Sequence, residues 1–202
     1  NSWNIPFSLT TFLFLCLMLL YTYKGGVKTL VYTDTLQTLG MLVAVIFTIY
    51  FIAYTLNSSI VDLVNQVRES EMSKWFFWDD WNDKRHFLKF LAGMFITLTM
   101  TGLDQEMMQK NLSCKTVADA QKNMITYSFI IAIVNLLFLF LGALLYIYAQ
   151  REGIAIPQKT DDLYPIVALQ SIGGITAVVF LIGIISAAFP SADGALTSLT
   201  TI

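Results

Sequence analysis

Met124–Tyr148 reads MITYSFIIAIVNLLFLFLGALLYIY, without one Asp, Glu, Lys or Arg. About 17–25 apolar residues in a helix cross the roughly 30 Å hydrocarbon core of a bilayer, and this stretch meets that length. Working outward, uncharged runs recur at 1–23, 35–61, 90–103, 123–150 and 163–192. Four are long enough to cross. The run at 90–103 reaches span length when its helix starts near Phe87. The reading is an all-α membrane protein with five transmembrane helices, at 5–23, 36–56, 87–103, 124–148 and 166–199. The last is too long for a straight span: either it is tilted, or its start belongs to a loop helix.

Composition agrees. Of 202 residues, 56% are hydrophobic and 13% charged, whereas soluble domains carry about 25% charged residues. The net charge is −2 and no basic stripe appears, which argues against a nucleic-acid partner. No basic start followed by a short apolar core and a cleavage site marks a signal peptide. The chain starts at Asn1 and stops at Ile202 inside hydrophobic sequence; the expectation is a piece of a longer protein. Cys16 in a span and Cys114 in a loop read as a packing residue and an incidental thiol.

Four connections join the spans. The first, KGGVKTLVYTD at 24–34, is short and basic, with Gly25-Gly26 as a turn. The second, 57–86, is polar but contains KWFFWDDW at 74–81. That aromatic cluster reads as an interfacial belt, with a ligand cage as the alternative. The third, 104–122, is expected to continue as helix, because Glu106 and Lys110 stand four apart in the favourable order. The fourth, 150–162, holds Pro157 and five charges. Lys and Arg counts on the two sides nearly tie, so charge orients the chain only weakly.

No P-loop, dinucleotide fingerprint or nucleophile elbow is present, and His86 is the only histidine, so an HExxH zinc site is impossible. His86 reads as a solvated residue at a helix start. An enzyme is not expected. No ring of charges or filter-like repeat points to a channel.

Two spans depart from plain helix. FLAGMFITLTMTGLDQ at 90–105 places Gly93, Thr97, Thr99, Thr101 and Gly102 in a short segment. Such interruptions mark midplane binding sites in transporters or close packing through small residues. The second is AAFPSADGALTSLTT, Ala187–Thr201. Pro190 has no N–H, so the carbonyl of Ser186 loses its helical partner. Ser186, Pro190, Asp193 and Thr197 share one face; Ala187, Ser191, Gly194 and Ser198 share the next. Oxygen groups at helical spacing suit a hard cation, and a charge within a span marks an ion or substrate path. A helix end reaching water and a tight packing face remain the alternatives.

Three stretches resemble the sodium:solute symporter family. YKGGVKTLVYTDTLQ (Tyr23–Gln37) is similar to its GG…T-D-x-x-Q signature. TGLDQEMMQKNLSCKTVADAQKN (Thr101–Asn123) resembles the segment after its sixth core helix, with paired glutamines followed by a base. SAAFPSADGALTSLTT resembles its eighth core helix. The resemblance covers essentially the whole chain. It implies a leucine-transporter-type inverted-repeat fold, of which this chain supplies core helices four to eight, with connections one and three cytoplasmic. It implies a multi-pass protein of the plasma membrane that takes up a small solute coupled to sodium by alternating access. The rest of the same transporter chain would be needed as partner, with the lipid bilayer around it.

By the same resemblance, the main sodium site falls on Ala187, Pro190 and Ser191. Pro190 departs from the family's hydroxyl. A second sodium position falls on Asp193 and Gly194, where Asp193 could replace the ligand lost at Pro190. The pocket positions fall on Thr97, Met100 and Thr101, with Asp104 and Gln105 a turn below. Met100 stands where sugar carriers have an aromatic gate, and Ile131 near their lysine, which disfavours a sugar. The missing hydroxyl at Pro190 also leaves open a membrane sensor or scaffold that keeps the fold without transport.

Overall fold

The computed structural model describes residues 6–22, 26–74, 76–78, 81–82, 86–172 and 174–200. Among these residues the chain is all helical, with no strand. The helices are α1 (Phe7–Thr22), α2 (Gly26–Thr55), α3 (Ile60–Glu69), α4 (Lys89–Leu103), α5 (Gln105–Leu112), α6 (Val117–Arg151), α7 (Leu163–Ile166) and α8 (Gly174–Thr200). Two segments are long and apolar enough to cross a membrane, Val31–Thr55 and Val117–Arg151; Ser8–Leu17, Lys89–Leu103 and Gly174–Phe189 are shorter apolar helices.

The helix of the opening stretch is longer than its apolar run. α6 has 35 residues, about 52 Å at 1.5 Å per residue. That exceeds a hydrocarbon core of roughly 30 Å, so its polar ends project beyond the membrane. Thr116 caps the start by accepting from Asp119 N–H at 3.1 Å. Arg151 closes the end, and its guanidinium donates to Gln66 Oε1 at 2.9 Å, tying α6 to α3. Ser59 begins α3 with a capping box to Asp62.

One expectation is corrected, and one that was left open is decided. The third connection does not continue the preceding helix. Asp104 is extended, with ψ 121, and its carboxylate accepts from Met107 N–H at 2.9 Å. An Asp that caps a new helix ends the old one, so α5 is separate from α4. The long fifth span is likewise two pieces. α7 runs into a π-helical stretch, Val167–Ile172, and α8 starts at Gly174 with φ +55. That left-handed backbone suits glycine and changes the chain's direction. Of the two readings of the 166–199 segment, a tilted span or a start in a loop helix, the structure shows the second.

The hydrophobic core lies at one end of the bundle. Val45, Ile49 and Ile52 of α2, Leu63 of α3, Leu141, Leu144, Leu145 and Tyr148 of α6, and Leu163 and Val167 interlock there. Tyr164 fastens the connector to both long neighbours. Its hydroxyl shares a 2.7 Å hydrogen bond with Thr48 of α2, and its ring meets Phe180 of α8 edge-on at 4.5 Å. Burial raises the Tyr164 phenol above its usual range and the Thr48 hydrogen bond offsets part of the rise, so it stays neutral at physiological pH.

At the other end, α2 and α8 pack through small residues. A Cβ on Gly183 would lie 2.5 Å from Ala44 Cβ, and one on Gly40 would lie 2.7 Å from Ser186 Oγ. At Gly183 only glycine allows this approach, whereas at Gly40 rotation of the Ser186 hydroxyl leaves room for a Cβ. Gly183→Val should therefore cost about 1–3 kcal/mol by overpacking, read as a lower thermal unfolding midpoint in detergent. Gly93→Ala, where a Cβ meets nothing within 4 Å, should leave the midpoint unchanged or raised. Equal midpoints for Gly183→Val and the parent would contradict the close packing.

Candidate functional site

The two glycine contacts set an antiparallel register. Ala44 meets Gly183, and Gly40 meets Ser186. Continued at helical rise, that register brings Gln37 level with Pro190 and Asp34 level with Asp193 and Gly194. The proline-and-acid turn of α8 thus stands beside the first third of α2. Edge-on contact of Phe14 with Phe189 at 4.6 Å adds α1 to this end, and α5 packs against α8 here.

Asp34 and Gln37 share one face of α2, being three residues apart. Asp34 Oδ2 accepts from the Lys110 ammonium at 2.9 Å, with side-chain exposures of 20% and 30%. Asp34 Oδ1 and Gln37 Oε1 are buried and accept no hydrogen bond within the structure. Buried acceptors are ordinarily paired, so two orphan oxygens one turn apart call for a partner. Carboxylate and amide oxygens can only accept. What they lack is a donor or a hard cation, and oxygen sets of this kind hold hard cations.

Of the predicted cation positions, Ala187 is exposed and Gly194 is buried. Pro190, Ser191 and Asp193 lie within the α8 helix, and their side chains fall outside what the structure describes. α8 stays helical through Pro190, which leaves the Ser186 carbonyl without an N–H one turn on.

The predicted pocket positions lie on α4 and at the start of α5. α4 has no buried residue and packs on α5 rather than extensively on α8. Thr97 donates its hydroxyl to Gly93 O at 3.0 Å. Met100 is exposed and Thr101 half-buried. Asp104 spends its carboxylate on the α5 cap, and Gln105 is the exposed first residue of α5.

His86 is a further correction. It is buried, with only 6% exposed, and is not a solvated loop residue. Its ring lies 5.1 Å from Trp81 and 6.0 Å from Trp78, and its Nδ1 accepts from Leu88 N–H at 3.3 Å. The surrounding indoles cover it.

The profile of the sodium:solute symporter family matches residues 1–201. The chain belongs to the sodium:solute symporter family. It is 22% identical over 193 residues to the sodium/sialic acid symporter NanT of Aliivibrio fischeri, covering 93% of this chain and 38% of the relative. It is 19% identical over 191 residues to the sodium/sialic acid symporter SiaT of Proteus mirabilis, covering 92% of this chain and 38% of the relative. The chain thus spans about 38% of the length of these symporters. No solved structure matches it. Both relatives are transporters rather than enzymes.

Neither Asp34 nor Gln37 stands among the positions that the sequence reading assigned to a site. Both were in view, as the T-D-x-x-Q letters of the symporter signature. Lys110 is the base that follows the paired glutamines of the second motif. The ion pair joins these two motifs across 76 residues of sequence.

Proposed function

We propose that this symporter segment carries the cation-binding half of a sodium-coupled importer of a small organic solute, working by alternating access in the plasma membrane. The observation that carries the reading is the pair of orphan buried oxygens on Asp34 and Gln37, level with the Pro190–Gly194 turn. Sodium is the co-substrate. Asp34 Oδ1, Gln37 Oε1 and the freed Ser186 carbonyl offer it oxygens, with Ala187, Pro190, Ser191, Asp193 and Gly194 as the neighbouring backbone and side-chain positions. Asp193 compensates for the hydroxyl absent at Pro190. Thr97, Met100, Thr101, Asp104 and Gln105 belong to the solute path. In the arrangement described, Lys110 neutralises Asp34, and α5 closes this end of α2 and α8. A sodium ion arriving at Asp34 competes with Lys110, which links ion occupancy to the position of α5.

The sialic acid carried by the two relatives is the first solute to try. The test is uptake of labelled sialic acid by the full-length protein in proteoliposomes, with and without an inward sodium gradient. Asp193→Asn should raise the sodium concentration for half-maximal uptake by about five- to tenfold, the low end of a coupling energy, with little change in thermal stability. Unchanged sodium dependence would reject that role for Asp193. The departure at Pro190 favours a second reading, a sensor or scaffold that has lost transport. Solute binding without flux would support it.

A further inference from the structure

One sequence feature takes no part in the cation chemistry: the aromatic stretch before α4. Its rings form a connected set. Phe76 lies 6.5 Å from Trp78 and 4.9 Å from Phe87; Trp78 lies 5.0 Å from Phe87; Phe87 lies 6.0 Å from Phe90. Trp78 and Trp81 both pack on the buried His86. A hydrogen bond from Phe87 N–H to Phe77 O, at 3.0 Å, closes the loop, and the Lys74 ammonium sits 5.1 Å over the Phe77 ring. Yet the outer faces are open: Phe76 is 53% exposed, Trp78 55%, Trp81 65% and Phe90 64%. The cluster is pre-assembled around a histidine and presents large rings outward.

The cluster leads into a helix too short to cross a bilayer unaided. α4 has 15 residues, about 22 Å of rise, against a hydrocarbon core of roughly 30 Å. The residues joining the cluster to α4 are wound as tight turns, with Lys89 N–H on His86 O and Phe90 N–H on Phe87 O. They add a few ångströms at about 2 Å per residue. The rings stand at the start of this short helix. Tryptophan at the end of a span settles at headgroup level, with its indole body in the apolar boundary and its N–H in the wet layer. A short span is accommodated by such anchors together with local thinning of the bilayer.

We propose that Phe76, Trp78, Trp81, Phe87 and Phe90 form a membrane-interface anchor. It seats in the headgroup layer of the phospholipid bilayer and fixes the depth of the short α4 helix. The anchor rests on α4 crossing the membrane and not on the sodium chemistry. Sodium-independent uptake would overturn the transport reading and leave the anchor intact.

The test uses the full-length protein in phosphatidylethanolamine–phosphatidylglycerol vesicles, with every tryptophan except Trp78 and Trp81 replaced by phenylalanine. Circular dichroism checks that its helicity matches the parent. Fluorescence is then read in lipid brominated near the headgroup end of the acyl chain, in lipid brominated near its methyl end, and with aqueous acrylamide. An interfacial position predicts about twofold quenching by the shallow bromine, less by the deep one, and weak quenching by acrylamide. Strong acrylamide quenching without bromolipid quenching would place the rings in water and overturn the anchor. Protection from all three quenchers would mean that protein covers them and would overturn it equally. Stronger quenching by the deep bromine would also overturn it.

Discussion

Replacing sodium by choline should reduce solute uptake by the full-length protein about 5- to 150-fold, the span of typical coupling energies of about 1–3 kcal/mol. Choline carries the same charge, so the membrane potential and ionic strength are held. What it lacks is a small hard ion that carboxylate and amide oxygens can coordinate. Asp34 Oδ1 and Gln37 Oε1 are buried acceptors without a partner in the structure, and choline's charge is shielded by three methyl groups, so they cannot coordinate it as they would a hard ion. Equal uptake in sodium and choline would remove the coupling and, with it, the reason for the orphan oxygens.

The second large effect is expected from Asp34→Asn. The substitution keeps the shape and removes the charge. Two consequences separate. The half-buried Lys110 ammonium loses its counter-charge, and breaking such a pair costs about 1–3 kcal/mol at this degree of exposure. The oxygen set for the cation also loses its anionic member, which should raise the half-saturating sodium concentration by about 5- to 150-fold, again about 1–3 kcal/mol of coupling. A double change resolves the two. Asp34→Asn with Lys110→Met removes both charges, so stability should recover by most of the loss. Sodium affinity should not recover. If stability and sodium affinity are both restored in the double variant, Asp34 serves only the ion pair and the cation site lies elsewhere.

The all-helical class was legible because long uncharged runs have one common solution in lipid, a helix that satisfies its own backbone. The breaks were less legible. Glu106 and Lys110 at helical spacing suggested continuity, but Asp104 makes a better cap than a helix interior, and α5 starts afresh. At 166–174 the apolar pattern hid a π-helical stretch and a left-handed glycine, since hydropathy does not encode backbone sign. His86 looked solvated because its neighbours in sequence are charged, yet Trp78 and Trp81 fold over it. The α8 turn was conspicuous for its acid and proline. Its partner was not, because the register that brings Asp34 level with Asp193 depends on Gly40 and Gly183 meeting Ser186 and Ala44. Those glycines read as generic packing until the two helices are seen together. The Asp34–Lys110 contact joins distant motifs, each of which names its residues without saying what they touch.

Direct binding of radioactive sodium to the purified full-length protein tests the account most simply, since it needs no knowledge of the solute. The parent should bind sodium saturably, and Asp34→Asn should weaken that binding by about 5- to 150-fold while circular dichroism stays unchanged, the same span of about 1–3 kcal/mol of coupling. Unaltered sodium affinity in a folded Asp34→Asn protein would contradict a cation site built on α2 and α8.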